Sequence, residues 1–420
     1  MNRSDTNAKE PRAPSRTFRA LQEISGVLRA PQRMIPLLSR LTTDRTRMVF
    51  ENRNLYSFTT GTIRTGDVLR SVMQWILSAQ RADGGIPAYY SYLTGYSESY
   101  PEVTGYIIPT LYAFSHLAND ATALSAAERA TRWLLSLQMA SGAFPAGLGG
   151  AGSDAQPSVF NSGQILQGLV AAYAKTGDVK ILERAAATGD WLANLQQPDG
   201  SWSGPGAYQG NAHTYYSMVA WALALLAAAS GDPRHAAAAE RNIDWVLKHV
   251  QPSGWIDGIN LRGHPAYLHF IAYVIQGMLE CAVLLHREDA VEASAKSAWV
   301  LLRKFETGKK LLGAYEPDFR GGQEFTCLTG NAQMSCVWLR LFDVTGDPRY
   351  LNAALKMNEM LKTLVPTKGR LGVAGGVAGS GPIWGAYQPL RLISWGGKFF
   401  ADALMLEQQL LSRIEASECA

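Results

Sequence analysis

Two short segments of the chain concentrate side chains that can move protons. GNAHTYYSM carries Asn211, His213 and Tyr216, and GINLRGHPAYLHF carries Arg262 and His264. Imidazole and phenol groups exchange protons, while an amide or a guanidinium stabilises negative charge that forms beside it. This set predicts removal of a proton from a carbon next to a neutralised carboxylate. We assign His213 or Tyr216 as base and acid, His264 as a further catalytic candidate, and Asn211 and Arg262 as partners of the carboxylate.

A third segment, IPAYYSYLTGYSESYPEVTGY, is dense in tyrosine and contains Glu102. Tyrosine rings present flat apolar faces that stack on sugar rings, and their hydroxyls form hydrogen bonds with sugars. Tyr89, Tyr90, Tyr100 and Tyr106 are therefore predicted to bind substrate. Glu102 stands where an apolar helix is expected to begin, and we assign it as a charge partner or an alternative acid.

Further polar and aromatic residues precede the other apolar helices. A pair such as Glu102 and Glu316 would serve glycoside cleavage if both carboxylates faced one cleft. The remaining candidates for substrate binding are Asn161, Trp255, Tyr267, His269, Glu316, Asn331, Trp384, Tyr387 and Lys398. His264 and His269 are five residues apart, so they do not share one face of a helix, and no HExxH pattern completes a metal shell. We expect neither a metal nor another cofactor.

An internal repeat determines the elements that position these residues. QWILSAQRADGG, RWLLSLQMASGAF and DWLANLQQPDGSW each place a glutamine five residues after a tryptophan and then a glycine turn. The series occupies six positions, namely Trp75, Trp133, Trp191, Trp245, Trp299 and Met360. Its steps of 58, 58, 54, 54 and 61 residues are typical of a fold built from one supersecondary unit.

Each repeat also contains the signals of two helices joined by a tight turn. TGD, SGDP and TGDPRY combine a glycine that ends one helix with an aspartate that caps the next. Asn119-Asp120 and Glu288-Asp289 are expected in the same place in two other repeats. Amphipathic helices with tryptophan alternate with helices that are apolar on nearly all sides, and the latter must be surrounded by protein.

Six buried and six covering helices predict a closed ring, because an open stack would leave buried-type helices bare at its ends. We therefore predict an all-α fold, an (α/α)6 toroid of six helical hairpins that occupies residues 67–420 as one domain. The inner helices all start at the same end of such a ring. The loops that carry the candidate residues should therefore surround one cleft.

Residues 1–66 form a basic leader, with twelve Lys or Arg against five Asp or Glu, in a chain of net charge +4. We expect a helical segment over 17–60, interrupted at Pro31 and Pro36, and a peripheral contact of the leader with an anionic surface or a partner. The balanced overall charge does not indicate a nucleic-acid partner. The N-terminus contains no apolar stretch of signal-peptide type, which predicts a cytoplasmic protein.

The repeat of tryptophan, glutamine and glycine resembles that of the α/α-toroid superfamily. This superfamily includes terpene cyclases and protein prenyltransferases as well as toroid glycan lyases, hydrolases and uronyl C5-epimerases. SYPEVTGYIIPTLY is similar to the Tyr-Pro stretch that opens an inner helix in glucuronyl C5-epimerase catalytic domains, and the Asn211, His213 and Tyr216 set resembles that of toroid polysaccharide lyases. The resemblance implies removal of the C5 proton of a uronate. The DxDD run of class II terpene cyclases is not found in the sequence.

We therefore expect a carbohydrate-active enzyme that acts on a uronic-acid-containing glycan by C5 proton abstraction, as a polysaccharide lyase or a C5-epimerase. Three alternatives remain open. They are a glycoside hydrolase with paired carboxylates, an isoprenoid cyclase or prenyltransferase-like toroid, and a non-catalytic glycan-binding protein.

Overall fold

The computed structural model describes residues 63–150, 155–259, 265–368 and 373–418. Twelve α-helices lie within these ranges: α1 Thr65–Ala79, α2 Pro101–Ala118, α3 Ala121–Leu137, α4 Val159–Thr176, α5 Val179–Leu195, α6 Ser217–Ser230, α7 Pro233–Leu247, α8 Leu268–Leu285, α9 Glu288–Gly308, α10 Leu328–Thr345, α11 Pro348–Leu364 and α12 Ser394–Glu418. Eight short strands lie between them: β1 Tyr89–Ser91, β2 Gly95–Tyr96, β3 Ala266–Tyr267, β4 Ala314–Tyr315, β5 Gly322–Gln323, β6 Thr326–Cys327, β7 Ser380–Gly381 and β8 Arg391–Ile393.

The helices alternate in burial as the sequence predicts. The odd-numbered helices bury one stripe, and in α3 the buried residues recur every three or four positions from Ala123 to Leu134. The even-numbered helices are buried nearly all round, and in α10 every residue from Leu328 to Leu339 is buried. The helix α8 is apolar and long enough to cross a membrane by composition, but 72% of it is buried inside the protein. It is a core helix of the ring.

The even-numbered helices form a closed inner ring. Each packs against the next in chain order, and α12 packs against both α1 and α2. Thr110 on α2 donates a hydrogen bond to Asp402 on α12 at 2.7 Å across this seam. The outer ring closes as well, because a Cβ atom at Gly375, after α11, would lie only 2.0 Å from the carbonyl oxygen of Ser71 on α1. The prediction of a closed (α/α)6 toroid is confirmed. Its first helix begins at Thr65, two residues before the predicted boundary, and residues 1–62 of the leader lie outside the described ranges.

Two-residue turns join each inner helix to the outer helix that follows. The first residue adopts the left-handed conformation at Asn119, Gly177, Gly231, His286 and Gly346. The second residue caps the outer helix through its carboxylate at Asp120, Asp178, Asp232 and Asp347. The expectation for Glu288-Asp289 is wrong by two residues, because His286 and Arg287 make that turn. The two acidic residues lie instead in the first turn of α9, where their negative charge interacts favourably with the helix dipole.

The repeated glutamine links neighbouring outer helices. Gln196 Nε2 donates to the carbonyl oxygens of Gly200 at 3.0 Å and of Ala238 at 2.8 Å, and its Oε1 accepts from Arg241 Nη2 at 2.7 Å. Equivalent bonds are made by Gln80 and Gln138. Gly200 has a φ of 94°, and a Cβ atom there would lie 2.1 Å from the carbonyl oxygen of Arg241. The glutamine and the glycine therefore fix the contact between α5 and α7.

The loops before the inner helices meet at one end of the ring, which we call the mouth. The strands β1 and β2 pair with each other, and β1 also pairs with β8, placing Tyr89 opposite Ile393. Two further small sheets, β3–β4–β5 and β6–β7, join the loops that precede α8, α10 and α12. The mouth is therefore bounded by paired segments from distant parts of the chain.

Replacing Gln196 with Met should lower the free energy of unfolding by about 1–3 kcal/mol, because the side chain loses its hydrogen bonds to Gly200, Ala238 and Arg241. The matched control is Gln197→Met, since the side chain of Gln197 donates to the nearby carbonyl of Leu195. The control should change stability by less than about 0.5 kcal/mol. Urea unfolding of both variants measures the difference, and equal losses would contradict the linking role.

Candidate active site

Glu102 lies at the mouth, at the start of an inner helix. It is the second residue of α2, directly after Pro101, and its side chain is partly exposed. The hydroxyl of Tyr100 donates a short hydrogen bond to Glu102 Oε2. The charge of Glu102 contributes to the raised pKa of Tyr215 before α6 and of Tyr387 before α12. The carboxylate therefore lies within electrostatic range of two other inner-helix starts.

Burial raises the pKa of the Glu102 carboxyl to about 7. The hydrogen bond from Tyr100 opposes this shift, because it stabilises the charged carboxylate. A carboxyl group with this pKa is close to half protonated at neutral pH. It is suited both to accepting and to donating a proton.

Phe160 and Phe270 pack against Tyr215 and were not identified from the sequence. Phe160 on α4 lies 5.3 Å from Tyr215 and 5.4 Å from Tyr273, measured between ring centroids. Tyr215 in turn stacks on Phe270 of α8 at 5.6 Å. Burial raises the pKa of Tyr215 and Tyr273 well above 10, which keeps both hydroxyls protonated. Their position in the sequence could have identified them, because Phe160 and Phe270 both lie in the first turn of an inner helix.

His213, Tyr216 and Asn211 hold the loop that carries Tyr215. His213 is buried, stacks on Tyr215 at 4.8 Å and places Nε2 3.3 Å from the carbonyl oxygen of Tyr208. Burial lowers its pKa. The Tyr216 hydroxyl accepts the backbone N–H of Tyr208 at 2.7 Å, and burial raises its pKa to about 12. Asn211 Nδ2 donates to the carbonyl oxygen of Gln209 at 3.1 Å within the same loop. All three side chains therefore have hydrogen-bond partners within their own loop.

His269 and Lys398 lie beneath the mouth in the packed interior. His269 Nδ1 is 2.9 Å from Gln333 Oε1, and burial lowers its pKa to about 3, so the ring is neutral at ordinary pH. Lys398 pairs with Asp402 at 2.7 Å. Its ammonium also lies 4.1 Å from the ring centroid of Phe399. Both residues are positioned to support the floor of the site.

Two other candidate residues, Asn331 and Tyr106, are also buried. Asn331 Nδ2 donates to the carbonyl oxygen of Cys327 at 2.8 Å, which closes the first turn of α10. Tyr106 follows Glu102 by one helical turn and lies 6.0 Å from Phe399 between ring centroids. Both side chains are almost fully buried.

Tyrosines from two further loops complete the wall of the mouth. Tyr387 accepts a hydrogen bond from Trp395 Nε1 at 2.9 Å, and its ring lies 5.2 Å from that of Tyr267. Tyr89 on β1 stacks under the guanidinium of Arg391 on β8 at 4.1 Å. Tyr90 is buried beside Tyr92 and Tyr96. Tyr387 and Tyr267 therefore pack against each other between the loops before α8 and α12, whereas Tyr90 packs within the first loop.

The remaining candidates lie away from Glu102 or outside the described residues. Asn161 Nδ2 donates to the carbonyl oxygen of Pro145 at 2.8 Å, and Trp255 is buried against Phe319 at 5.2 Å. Glu316 is exposed, and Trp384 is exposed on the loop before α12. Arg262 and His264 belong to the segment 260–264, which is not described.

Comparison with known proteins finds resemblance at the level of the fold. The sequence matches no protein-family model and no curated protein. The chain is similar to the cellobiose 2-epimerase of Spirochaeta thermophila, with 17% identity and a TM-score of 0.66 over 88% of this chain and 100% of that one. For the cellobiose 2-epimerase of Bacillus thermoamylovorans, the identity is 13% and the TM-score 0.65, over 82% of this chain and 97% of that one. For an unsaturated glucuronyl hydrolase of Bacillus sp. GL1, the identity is 14% and the TM-score 0.64, over 81% of this chain and 96% of that one. The chain is an α/α toroid.

One group of potential metal ligands lies on the outer helices of the toroid, away from the mouth. Asp190, Asp232 and His235 place ligand atoms within 4.8 Å of one another. Arg234 Nη2 lies 3.2 Å from Asp190 and 2.6 Å from Asp232, so it already neutralises this group. Asp232 is also engaged as the cap of α7. The arrangement is that of an ion-pair cluster.

Replacing Glu102 with Gln should stabilise the toroid at pH 8. The folded pKa of about 7 lies above the ordinary value of 4.5, so the folded state binds this proton more tightly, and stability is lost as pH rises between the two values. We expect a gain of about 1–3 kcal/mol in the free energy of unfolding at pH 8 and a much smaller gain at pH 4.5. Urea unfolding at both pH values measures this, with the exposed Glu316→Gln as control. Equal gains at both values would contradict the shifted pKa.

Proposed function

We propose that this toroid is a carbohydrate-active enzyme in which Glu102 transfers a proton to or from a bound sugar. One observation carries the proposal: a partly exposed carboxyl with a pKa of about 7 lies among aromatic rings at the mouth. Rings and protonated tyrosine hydroxyls suit the apolar faces and the hydroxyls of a sugar. The names of the similar structures, cellobiose 2-epimerase and unsaturated glucuronyl hydrolase, support a sugar as substrate.

The reaction that we propose is removal of the C5 proton of a uronate within a glycan. Glu102 in its charged form takes the proton, and negative charge spreads onto the neighbouring carboxylate of the sugar. The hydroxyl of Tyr387 is neutral, accepts from Trp395 Nε1 and can donate its own proton in a hydrogen bond to that charge. Return of a proton from solvent to the other face of C5 gives an epimer, whereas loss of the C4 substituent, whose oxygen takes up the proton held by Glu102, gives an unsaturated product. His213 and Tyr216 act here as supports of Tyr215.

Hydrolysis is the second candidate, and the pKa of Glu102 also favours it. Below pH 7 most of this carboxyl is protonated and can donate a proton to a leaving oxygen. The paired-carboxylate mechanism would need a second acidic group near Glu102. Glu316, which the sequence offered for this role, is exposed in the loop before α10. The hydrolytic alternative therefore depends on Glu102 as the acid.

Incubation with heparosan, hyaluronan and alginate in deuterated buffer tests these assignments. Deuterium at C5 without cleavage indicates an epimerase, new ultraviolet absorbance indicates a lyase, and new reducing ends alone indicate a hydrolase. Glu102→Gln should lower turnover at least about 100-fold, because general acid-base catalysis contributes about that much. Glu316→Gln is the matched control and should remain active. Full activity in Glu102→Gln would overturn the proposal.

Replacing Tyr100 with Phe should move the pH profile of kcat/KM. The lost hydrogen bond stabilised the charged carboxylate, so the pKa of Glu102 rises further above 7 in the variant. A limb that reports Glu102 as base, with activity increasing as pH rises, should therefore move to higher pH. An unchanged limb would show that Glu102 does not produce it. Tyr89→Phe, at the rim beside Arg391, should leave the limb in place.

A further inference from the structure

Two exposed aromatic residues mark the outer edge of the mouth. Among the described residues, six large apolar side chains are exposed, and the two aromatic ones are Trp384 at 58% and Tyr208 at 48%. Trp384 lies on the loop before α12, and Tyr208 lies on the loop before α6. These two inner helices are three positions apart in a ring of six. Trp384 and Tyr208 therefore belong to mouth loops from different parts of the ring.

The backbone beneath each ring is held by hydrogen bonds. The N–H of Tyr208 donates to the Tyr216 hydroxyl at 2.7 Å. At Trp384, the N–H of Gly385 donates to the carbonyl of Pro382, and the N–H of Leu390 donates to that of Ile383, each at 2.8 Å. Both rings are thus presented to solvent by bonded loops. An exposed aromatic face at the edge of a carbohydrate cleft can stack on a sugar ring.

Both loops connect directly to the surroundings of Glu102. The loop of Trp384 reaches across the start of α10 to α8, where Tyr267 Oη lies 3.4 Å from the carbonyl oxygen of Ala386. At the start of α6, the ring of Tyr208 lies 6.0 Å from that of His213, which stacks on Tyr215 at 4.8 Å. Aromatic residues therefore connect both loops to the tyrosines near Glu102.

We propose that Trp384 and Tyr208 are outer subsites, and that the substrate is an oligosaccharide or polysaccharide chain that crosses the mouth. This inference rests on the proposed function and extends it to the size of the substrate. The reacting sugar lies over Glu102, and the units on either side stack on the two exposed rings. A monosaccharide or disaccharide would reach neither ring or only one of them.

Binding by the Glu102→Gln variant tests this proposal separately from turnover. The probes are hexasaccharides and disaccharides of hyaluronan, heparosan, alginate and cellulose, titrated by isothermal calorimetry. At least one hexasaccharide should bind 10-fold or more tightly than its disaccharide. Further replacement of Trp384 or Tyr208 by Ala should weaken hexasaccharide binding at least 10-fold and leave disaccharide binding unchanged.

The matched control is Leu148→Ala, which removes an exposed aliphatic side chain from the loop before α4 at the same face. It should not alter hexasaccharide binding. Equal affinity for hexasaccharides and disaccharides, an equal effect of Leu148→Ala, or no binding of any probe would overturn the assignment of the outer subsites. Length-dependent binding without turnover in the wild-type protein would instead retain the subsites and reject the proposed function.

Discussion

The need to surround six apolar helices on all sides determines the rest of this structure. A helix such as α10, in which twelve successive residues from Leu328 to Leu339 are buried, has no face that can meet water. A ring in which α12 returns to α2 meets this requirement for every inner helix. The same ring directs all inner-helix starts to one face. The polar groups at those starts are then gathered as a consequence of packing.

The fold could be predicted from the sequence because its signals are local and repeated. A left-handed residue such as Gly177 and a capping carboxylate such as Asp178 each act within a few residues, so their spacing reports the hairpins directly. The glutamine repeat was recognised without its cause. The side chain of Gln196, for example, bonds to the carbonyl of Ala238, which lies 42 residues further along the chain. Only the packed structure shows that this side chain joins two outer helices.

The site was less accessible to prediction, because residue type does not reveal what each group touches. Histidine and tyrosine suggested chemistry at His213 and Tyr216, yet both side chains have partners within their own loop. Glu102 was identified from its place at a helix start. Its pKa of about 7 depends on surrounding protein that the sequence does not display. Phe160 and Phe270 were not predicted, because a single phenylalanine on an apolar helix cannot be distinguished by sequence from a core residue.

The pairing of β1 with β8 has a consequence for how the protein is made. Tyr89 and Ile393 are joined in one sheet although more than 300 residues separate them in the chain. Glu102 and five of the six inner helices are therefore synthesised before β8, the last strand at the mouth. Until α12 emerges, the apolar flank of α2 at the seam stays uncovered. The sheet that joins β1 to β8 can therefore form only after the segment that precedes α12 has been synthesised.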